Sequence, residues 1–238
     1  MSKKTDELIR EFVAQGGNAQ SWSPAYSVAP TNSAPIIREW QSSDDEAPVR
    51  EVDLARWDFK PGAGSTLTRQ IINARFEKLA ERFWVGSFSN TRAIVPMLGY
   101  YEWTGEKGNK QPHFIHSDEL LAAAGMYTSH PTEDGGWRRE FLIITREARD
   151  ASGEIHDRMP AFLTPDTWDQ WLNPASLTVK GKTAESQANR QEIIAMLDRS
   201  SLAVAATIKT HPVDKRVSNV RTLDRTDPTL IDPVDVDA

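Results

Sequence analysis

The sequence predicts a single α+β domain built mainly of short strands, with a few helices set around them. Three observations lead there. The chain has 238 residues, long for one average domain and short for two. Its apolar residues fall mostly in short alternating or continuous runs bounded by Gly, Pro, Asn and Asp, which is strand patterning. Few stretches repeat apolar residues at helical spacing, and no internal repeat is visible.

Leu8, Ile9, Phe12 and Val13 recur at helical spacing and predict an amphipathic helix from about Thr5 to Ala14, ended by Gly16 and Gly17. Pro24 and Pro30 make the stretch from Trp22 to Thr31 an ordered, extended loop. Ile36-Ile37-Arg38 begins a strand. After the acidic turn Gln41 to Pro48, Val52, Leu54 and Trp57 carry a second one, which predicts a hairpin. Pro61 to Ser65 is a loop, and Ile71-Ile72 runs into Asn73-Ala74-Arg75-Phe76-Glu77 before a short helix through Glu81-Arg82-Phe83. Ala93 to Met97 and Tyr100 to Trp103 read as two strands parted by Gly99. A turn at Gly105 to Asn109 leads to a strand at His113-Phe114-Ile115, and Phe141 to Thr145 has the apolar run of a buried strand. Thr164 and Pro165 open a helix carrying Trp168, Trp171 and Leu172, and a further helix spans about Ala184 to Leu197. Leu202 to Ala206 and the alternating segment after it read as late strands.

Composition narrows the function classes. Hydrophobic residues at 39% and charged residues at 26% suffice for a packed core and exclude disordered and fibrous classes. The chain has no cysteine, so disulfides, a thiolate nucleophile and cysteine-bearing zinc sites are excluded for these residues. No run approaches the roughly 18 apolar residues of a membrane span. The start Met1-Ser2-Lys3-Lys4-Thr5-Asp6 lacks the apolar segment of a signal peptide, so a cytoplasmic location is expected. A net charge of −6 argues against gripping duplex DNA by general electrostatics. Charge is uneven, however. From Asn219 to Ala238, Arg221 and Arg225 stand against Asp224, Asp227, Asp232, Asp235 and Asp237, which leaves the body near balance and able to hold a local basic groove. This acidic tail is expected to be loosely held and to screen that groove.

Several motifs bear on chemistry. Gly181-Lys182-Thr183 is not a phosphate loop, because the first glycine of that motif falls on Ser176. There is no Gly-x-Ser-x-Gly elbow. His113 and His116 are three apart in a strand, which points them to opposite faces and away from shared metal ligation. His156 in Ile155-His156-Asp157-Arg158-Met159-Pro160 is either a proton shuttle beside an anion-holding arginine or a structural histidine in a turn. Glu102, among Tyr100, Tyr101 and Trp103, is either a desolvated general acid or an outward strand carboxylate. Asn73 and Arg75, two apart in extended backbone, share a face that suits one ligand, unless they lie in a surface turn.

In order and spacing, these fragments resemble the SOS-response-associated peptidase family. The matching stretches are Tyr26-Ser27-Val28-Ala29-Pro30-Thr31, Ile72-Asn73-Ala74-Arg75 with Glu77, Val95-Pro96 with Gly99-Tyr100-Tyr101-Glu102-Trp103, Lys110-Gln111-Pro112, Ala124-Gly125, Ile144-Thr145, Ile155 to Pro160, and Ser218-Asn219-Val220-Arg221 leading to Leu230-Ile231. The resemblance implies a β-barrel-like core of mostly antiparallel strands in one domain over residues 1–238, with 222–238 as its acidic tail. It further implies a groove for single-stranded DNA with abasic sites. In the family, a cysteine after the initiator methionine closes a thiazolidine on the opened sugar, and the protein processes its own N-terminus. Carried over by motif, Asn73 orients the N-terminal residue, Glu102 is the general acid and base, and His156 assists proton transfer to the sugar. Arg75 and Arg158 hold phosphates, and Tyr26, Ser27, Pro30, Trp57, Lys60, Asn219 and Arg221 contact DNA. No metal or cofactor is implied, and the expectation is a monomer that is nucleoid-associated when bound to DNA.

Two departures accompany the resemblance. Family members begin Met-Cys-Gly-Arg and an aromatic residue a few positions ahead of a helix, whereas this chain begins almost at that helix. Either the nucleophile lies ahead of Met1, or the protein is a non-catalytic single-stranded DNA binding module. The second departure is Ala63-Gly64, where an aromatic wedge is expected after Pro61, so weaker base stacking follows.

Overall fold

Helix α1 (Thr5–Glu11) begins where Glu7 accepts a hydrogen bond from the Lys4 backbone N–H at 2.7 Å, and Asp6 and Glu7 lie at the positive end of its dipole. Leu8 within it and Phe12 at its C-cap are completely buried. Val13 then takes a φ of 52°, so the helix stops before Ala14. Gly17 lies so close to β2 that a Cβ there would sit 2.1 Å from the Val52 carbonyl oxygen. Only glycine permits that approach. The computed structural model describes residues 3–43, 45–60, 69–149, 153 and 155–236. The loop expected at Pro61 to Ser65, with the Ala63-Gly64 departure, lies outside the described residues.

Strands β1 (Ser33–Trp40) and β2 (Val49–Trp57) form the expected hairpin. They are followed by β3 (Asn73–Arg75), β4 (Arg92–Thr104), β5 (Gln111–Pro131), β6 (Trp137–Glu147), β7 (Arg158–Pro160) and β8 (Lys209–Pro212). Pairing runs β3-β6-β2-β1-β4-β5-β8, with β7 on β6 and a further β5–β6 pairing. That last contact closes β6, β2, β1, β4 and β5 into a ring, the form the expected barrel-like core takes. All pairings are antiparallel except those of β2 and β3 with β6. Strand β5 makes closure possible by changing neighbours: β8 flanks His113 to His116, and β6 flanks Gly125 to Pro131.

Side-chain alternation sorts apolar residues to the two faces. Ile37, Leu142 and Ile144 pack outward against Leu8, Phe12, Trp171 and Leu197, while Ile36, Phe141 and Ile143 pack inward with Val95 and Met97. The inner face continues along β2 as Asp53, Ala55 and Trp57. Asp53 is buried and receives Arg38 Nε, the Asn18 N–H at 3.1 Å, and Arg139 in an ion pair at 3.0 Å. This ionic cluster closes one end of the inner face about 13 Å from Trp57, at the strand rise of about 3.3 Å per residue.

Four expectations need correction. The two strands around Gly99 are one, β4, carrying a bulge between Met97 and Gly99. A Cβ at Gly99 would meet the Ile115 carbonyl oxygen at 2.4 Å, so the glycine permits continuity where it read as a break. Glu81 to Phe83 form turns, and the helix there is α2 (Val85–Asn90), whose glycine and serines obscured its pattern. After α3 (Trp168–Leu172), helix α4 (Thr183–Ala205) runs on through Leu202 to Ala205. Buried Ser200 and Ser201 accept the Thr164 and Phe162 N–H groups, and no Gly or Pro interrupts, so the apolar run stays helical and only β8 is a late strand. Finally, the acidic tail is not loose. Leu230 is buried against Phe114, Val213 and Val217, and the Val234 N–H donates to the Pro212 carbonyl at 3.0 Å. Among the described residues no helix is long and apolar enough to cross a membrane.

Candidate functional site

A cavity of about 630 Å³ opens at the end of the inner face away from Asp53, between β3, β4, β7 and the loop 22–32. Its floor is apolar, with Ala34, Val95, Met97, Phe141 and Ile143, and its rim is polar. Asn73, Glu102 and His156, drawn from three separate stretches of sequence, all line it. So do Arg75, Arg158, Tyr26, Ser27, Pro30 and Trp57. Lys60, Asn219 and Arg221 do not; they are exposed outside the lining, and Val217 and Val220 form the wall near them.

Parallel pairing of β3 with β6 sets Asn73 beside Ile143 and Arg75 beside Thr145. Ala74 between them is buried on the outer face, so Asn73 and Arg75 share the cavity side as alternation requires. No ion pair engages Arg75 among the described residues.

Glu102 lies on β4 opposite His113 of β5. Burial pushes its carboxyl above the usual carboxylate range; the charges of His156 and Lys110 pull the other way, and Asp157 adds to the rise. A carboxyl in this setting keeps its proton to higher pH than a solvated glutamate and can donate it. His156 Nδ1 lies 3.0 Å from the Arg158 backbone nitrogen and 3.2 Å from the Arg158 carbonyl oxygen, so the ring is held against the start of β7. Both side chains line the cavity.

Arg158 is not a free cation. Its Nη1 and Nη2 reach the two carboxylate oxygens of Glu77 at 2.8 and 3.1 Å, and Nη2 also donates to the Thr145 carbonyl. Burial alone would raise the Glu77 carboxyl, but hydrogen bonds from Arg158 take it below the usual range. The loop 22–32 is held as firmly. The Thr31 N–H donates to the Trp57 carbonyl at 2.9 Å, and Tyr101 donates its hydroxyl to the Tyr26 carbonyl at 2.9 Å. Burial raises the Tyr101 phenol, which stays protonated and a donor. Trp22 donates its indole N–H to the Lys3 carbonyl at 3.2 Å, which brings the start of α1 to the same loop.

Sequence reasoning missed the parts played by Glu77, Lys110 and Tyr101, although all three stood in the matched stretches. The turn signal Gly105 to Asn109 between two strand-like runs was the sign for Lys110, since the hairpin it makes pairs Glu102 with His113 and Thr104 with Gln111. Among the described residues no group of three or more His, Asp or Glu is placed to hold a metal ion.

Comparisons with known proteins agree with this geometry. The chain is 31% identical over 201 residues to the abasic site processing protein YedK of Escherichia coli, covering 82% of this chain and 80% of that one. It is 31% identical over 177 residues to the abasic site processing protein YobE of Bacillus subtilis, covering 71% and 78%. In structure it is similar to a protein from Bacteroides thetaiotaomicron, with a TM-score of 0.69 at 23% identity over 98% and 97% of the two chains. A phage-related protein from Bordetella bronchiseptica matches with a TM-score of 0.59 at 26% identity over 82% and 84%. The family model described as SOS response associated peptidase (SRAP) matches residues 1–220, a stretch that contains every cavity-lining residue. On that match and on these relatives, the chain is a member of the SOS response associated peptidase family.

Proposed function

We propose that the cavity receives an abasic site in single-stranded DNA and presents its opened sugar for covalent capture by an N-terminal cysteine carried ahead of α1. One observation carries this reading: Asn73, Glu102 and His156 line one cavity together with Arg75 and Arg158. The names of the relatives support it. In the reaction, the cysteine α-amine adds to the sugar aldehyde carbon and water leaves to give an imine. The thiol then adds to the imine carbon and closes a thiazolidine, with no net oxidation. Glu102, whose carboxyl burial raises above the usual range, donates to the departing hydroxyl, and His156 exchanges a proton on the sugar side. Asn73 orients the amine, and Arg75 holds a flanking phosphate. Release of a preceding methionine by the same groups is the limited peptidase activity this reading includes. The site works on nucleoid DNA as a monomer.

The test places Cys-Gly-Arg-Phe directly after the initiator and incubates that protein, beside the chain as given, with abasic single-stranded DNA. A band surviving a denaturing gel for the restored form alone supports capture. Since these residues contain no cysteine, a second reading is a non-catalytic single-stranded DNA binding module. It is favoured if neither form gives a band and binding is salt-sensitive but indifferent to the abasic site.

A further inference from the structure

The residues after Val220 lie beyond the stretch matched by the family model, yet they touch the cavity wall. Arg225 does so twice. Its carbonyl accepts the Tyr26 N–H at 2.7 Å, and its guanidinium Nη1 donates to Asn32 Oδ1 at 2.8 Å. One residue of the tail thus grips both ends of the segment Tyr26 to Asn32, whose Tyr26, Ser27 and Pro30 line the cavity. The tail itself is anchored: Leu230 is buried, Asp227 accepts the Thr229 N–H at 2.9 Å, and His211 Nε2 lies 2.8 Å from the Ile231 carbonyl oxygen.

The gripped segment is under strain. Thr31 has a φ of 74°, a left-handed conformation that a β-branched residue avoids. Such a residue stays there only where its surroundings outweigh the cost. Here the Thr31 N–H donates to the Trp57 carbonyl at 2.9 Å, and the Trp57 N–H donates back to the Asn32 carbonyl at 2.9 Å. The Asn32 side chain, next to the strained residue, is the one Arg225 holds.

We infer that residues 221–236 are a strap that holds the wall Tyr26 to Pro30 in its DNA-receiving form, with Arg225 as the positioning residue that keeps Thr31 strained. Arg225 acts through Asn32 and touches no ligand. For its DNA readout this inference rests on the binding function proposed above.

The experiment compares Arg225→Ala, Thr31→Gly and the double variant in the full chain. Two readouts are used: affinity for a fluorescently labelled single-stranded oligonucleotide with an abasic site, as a function of salt, and amide hydrogen exchange without DNA. Arg225→Ala is expected to bind roughly tenfold more weakly, the reach of one lost hydrogen bond from a charged donor. Its salt dependence is expected to stay unchanged, and exchange at Thr31 and Trp57 to accelerate. Thr31→Gly, which adopts positive φ without strain, should restore most of the affinity in the double variant. A salt slope reduced by about 0.7 in Arg225→Ala, with no rescue by Thr31→Gly, would mean a direct phosphate contact and overturn the strap. Unchanged exchange and affinity would overturn it as well. If the parent chain does not bind the oligonucleotide at all, the proposed function fails, and the exchange data still decide the strap.

Discussion

Arg158 and Glu77, 81 residues apart in the chain, meet in a two-pronged ion pair at the cavity rim, with Nη1 2.8 Å from Oε1 and Nη2 3.1 Å from Oε2. The pair spends the arginine's fork on protein and fixes its direction, since a guanidinium held at two points cannot swing. Glu77 is half exposed, so its contribution to stability is small, on the order of 0.5 kcal/mol. Its carboxyl is lowered in the folded state, so the contribution is present above the unfolded value of 4.5 and is lost as pH falls through the lowered folded value. Glu77→Gln is therefore expected to shift the urea midpoint slightly at neutral pH and not at all at strongly acidic pH. Urea titrations of both proteins across that range check this.

Glu102 has the opposite sign. Its carboxyl is raised by burial, so its favourable contribution is complete below the unfolded value of 4.5 and is lost as pH rises through the folded value. Glu102→Gln, neutral at every pH, should be more stable than the parent at neutral pH and lose that advantage in acid. In the form with a restored cysteine, the same change should slow capture of abasic DNA by about 100-fold, the usual reach of a positioned acid. A variant both less stable at neutral pH and undiminished in rate contradicts the assignment.

Arg92 is buried and donates to four backbone carbonyls, those of Trp171, Phe88, Ser89 and Asn173, between 2.6 and 3.0 Å. Burial pulls its guanidinium down to about 10, still charged at neutral pH. It ties the end of α2 to α3, and among the described residues no carboxylate pairs with it. Arg92→Leu leaves those carbonyls without a donor and should cost about 3 kcal/mol or more by chemical denaturation. Well below the new midpoint, DNA binding should be retained, because Arg92 lies outside the cavity.

Gly99→Ala forces a methyl group to within 2.4 Å of the Ile115 carbonyl oxygen and against the Phe114 ring. The bulge that sets the direction of Tyr100, Tyr101 and Glu102 must shift. The expected result is a loss of about 2 kcal/mol in stability together with a clear loss of DNA affinity, measured by denaturation and by anisotropy.

That Asn73, Glu102 and His156 share one cavity was legible through the order and spacing of the family's fragments, since each motif read alone left a structural alternative open. The hairpin of β1 and β2 was legible for a different reason, since a solvated acidic turn separates two apolar runs. Ring closure was not, because β5 changes partners midway and nothing in the run Leu121 to Tyr127 marks which strand lies on its second edge. Leu202 to Ala205 misled because a short apolar run has no period, and the serines that hold α4 in place act only through tertiary contacts. The tail misled through composition. Its aspartates suggested repulsion and freedom, yet Asp224 and Asp227 cap turns through the N–H groups of Thr226 and Thr229.

The grip of Arg225 on Asn32 joins residues 193 positions apart, almost the full length of the polypeptide. During synthesis, the first hairpin has left the ribosome long before its last partner exists. Contacts of such separation close late, after local hairpins have formed. The wall Tyr26 to Asn32 is therefore expected to be the final part of the molecule to mature, and a nascent or prematurely ended chain has its ring without a finished mouth. The last-made residues of the polypeptide are thus the ones that complete a wall set near its beginning.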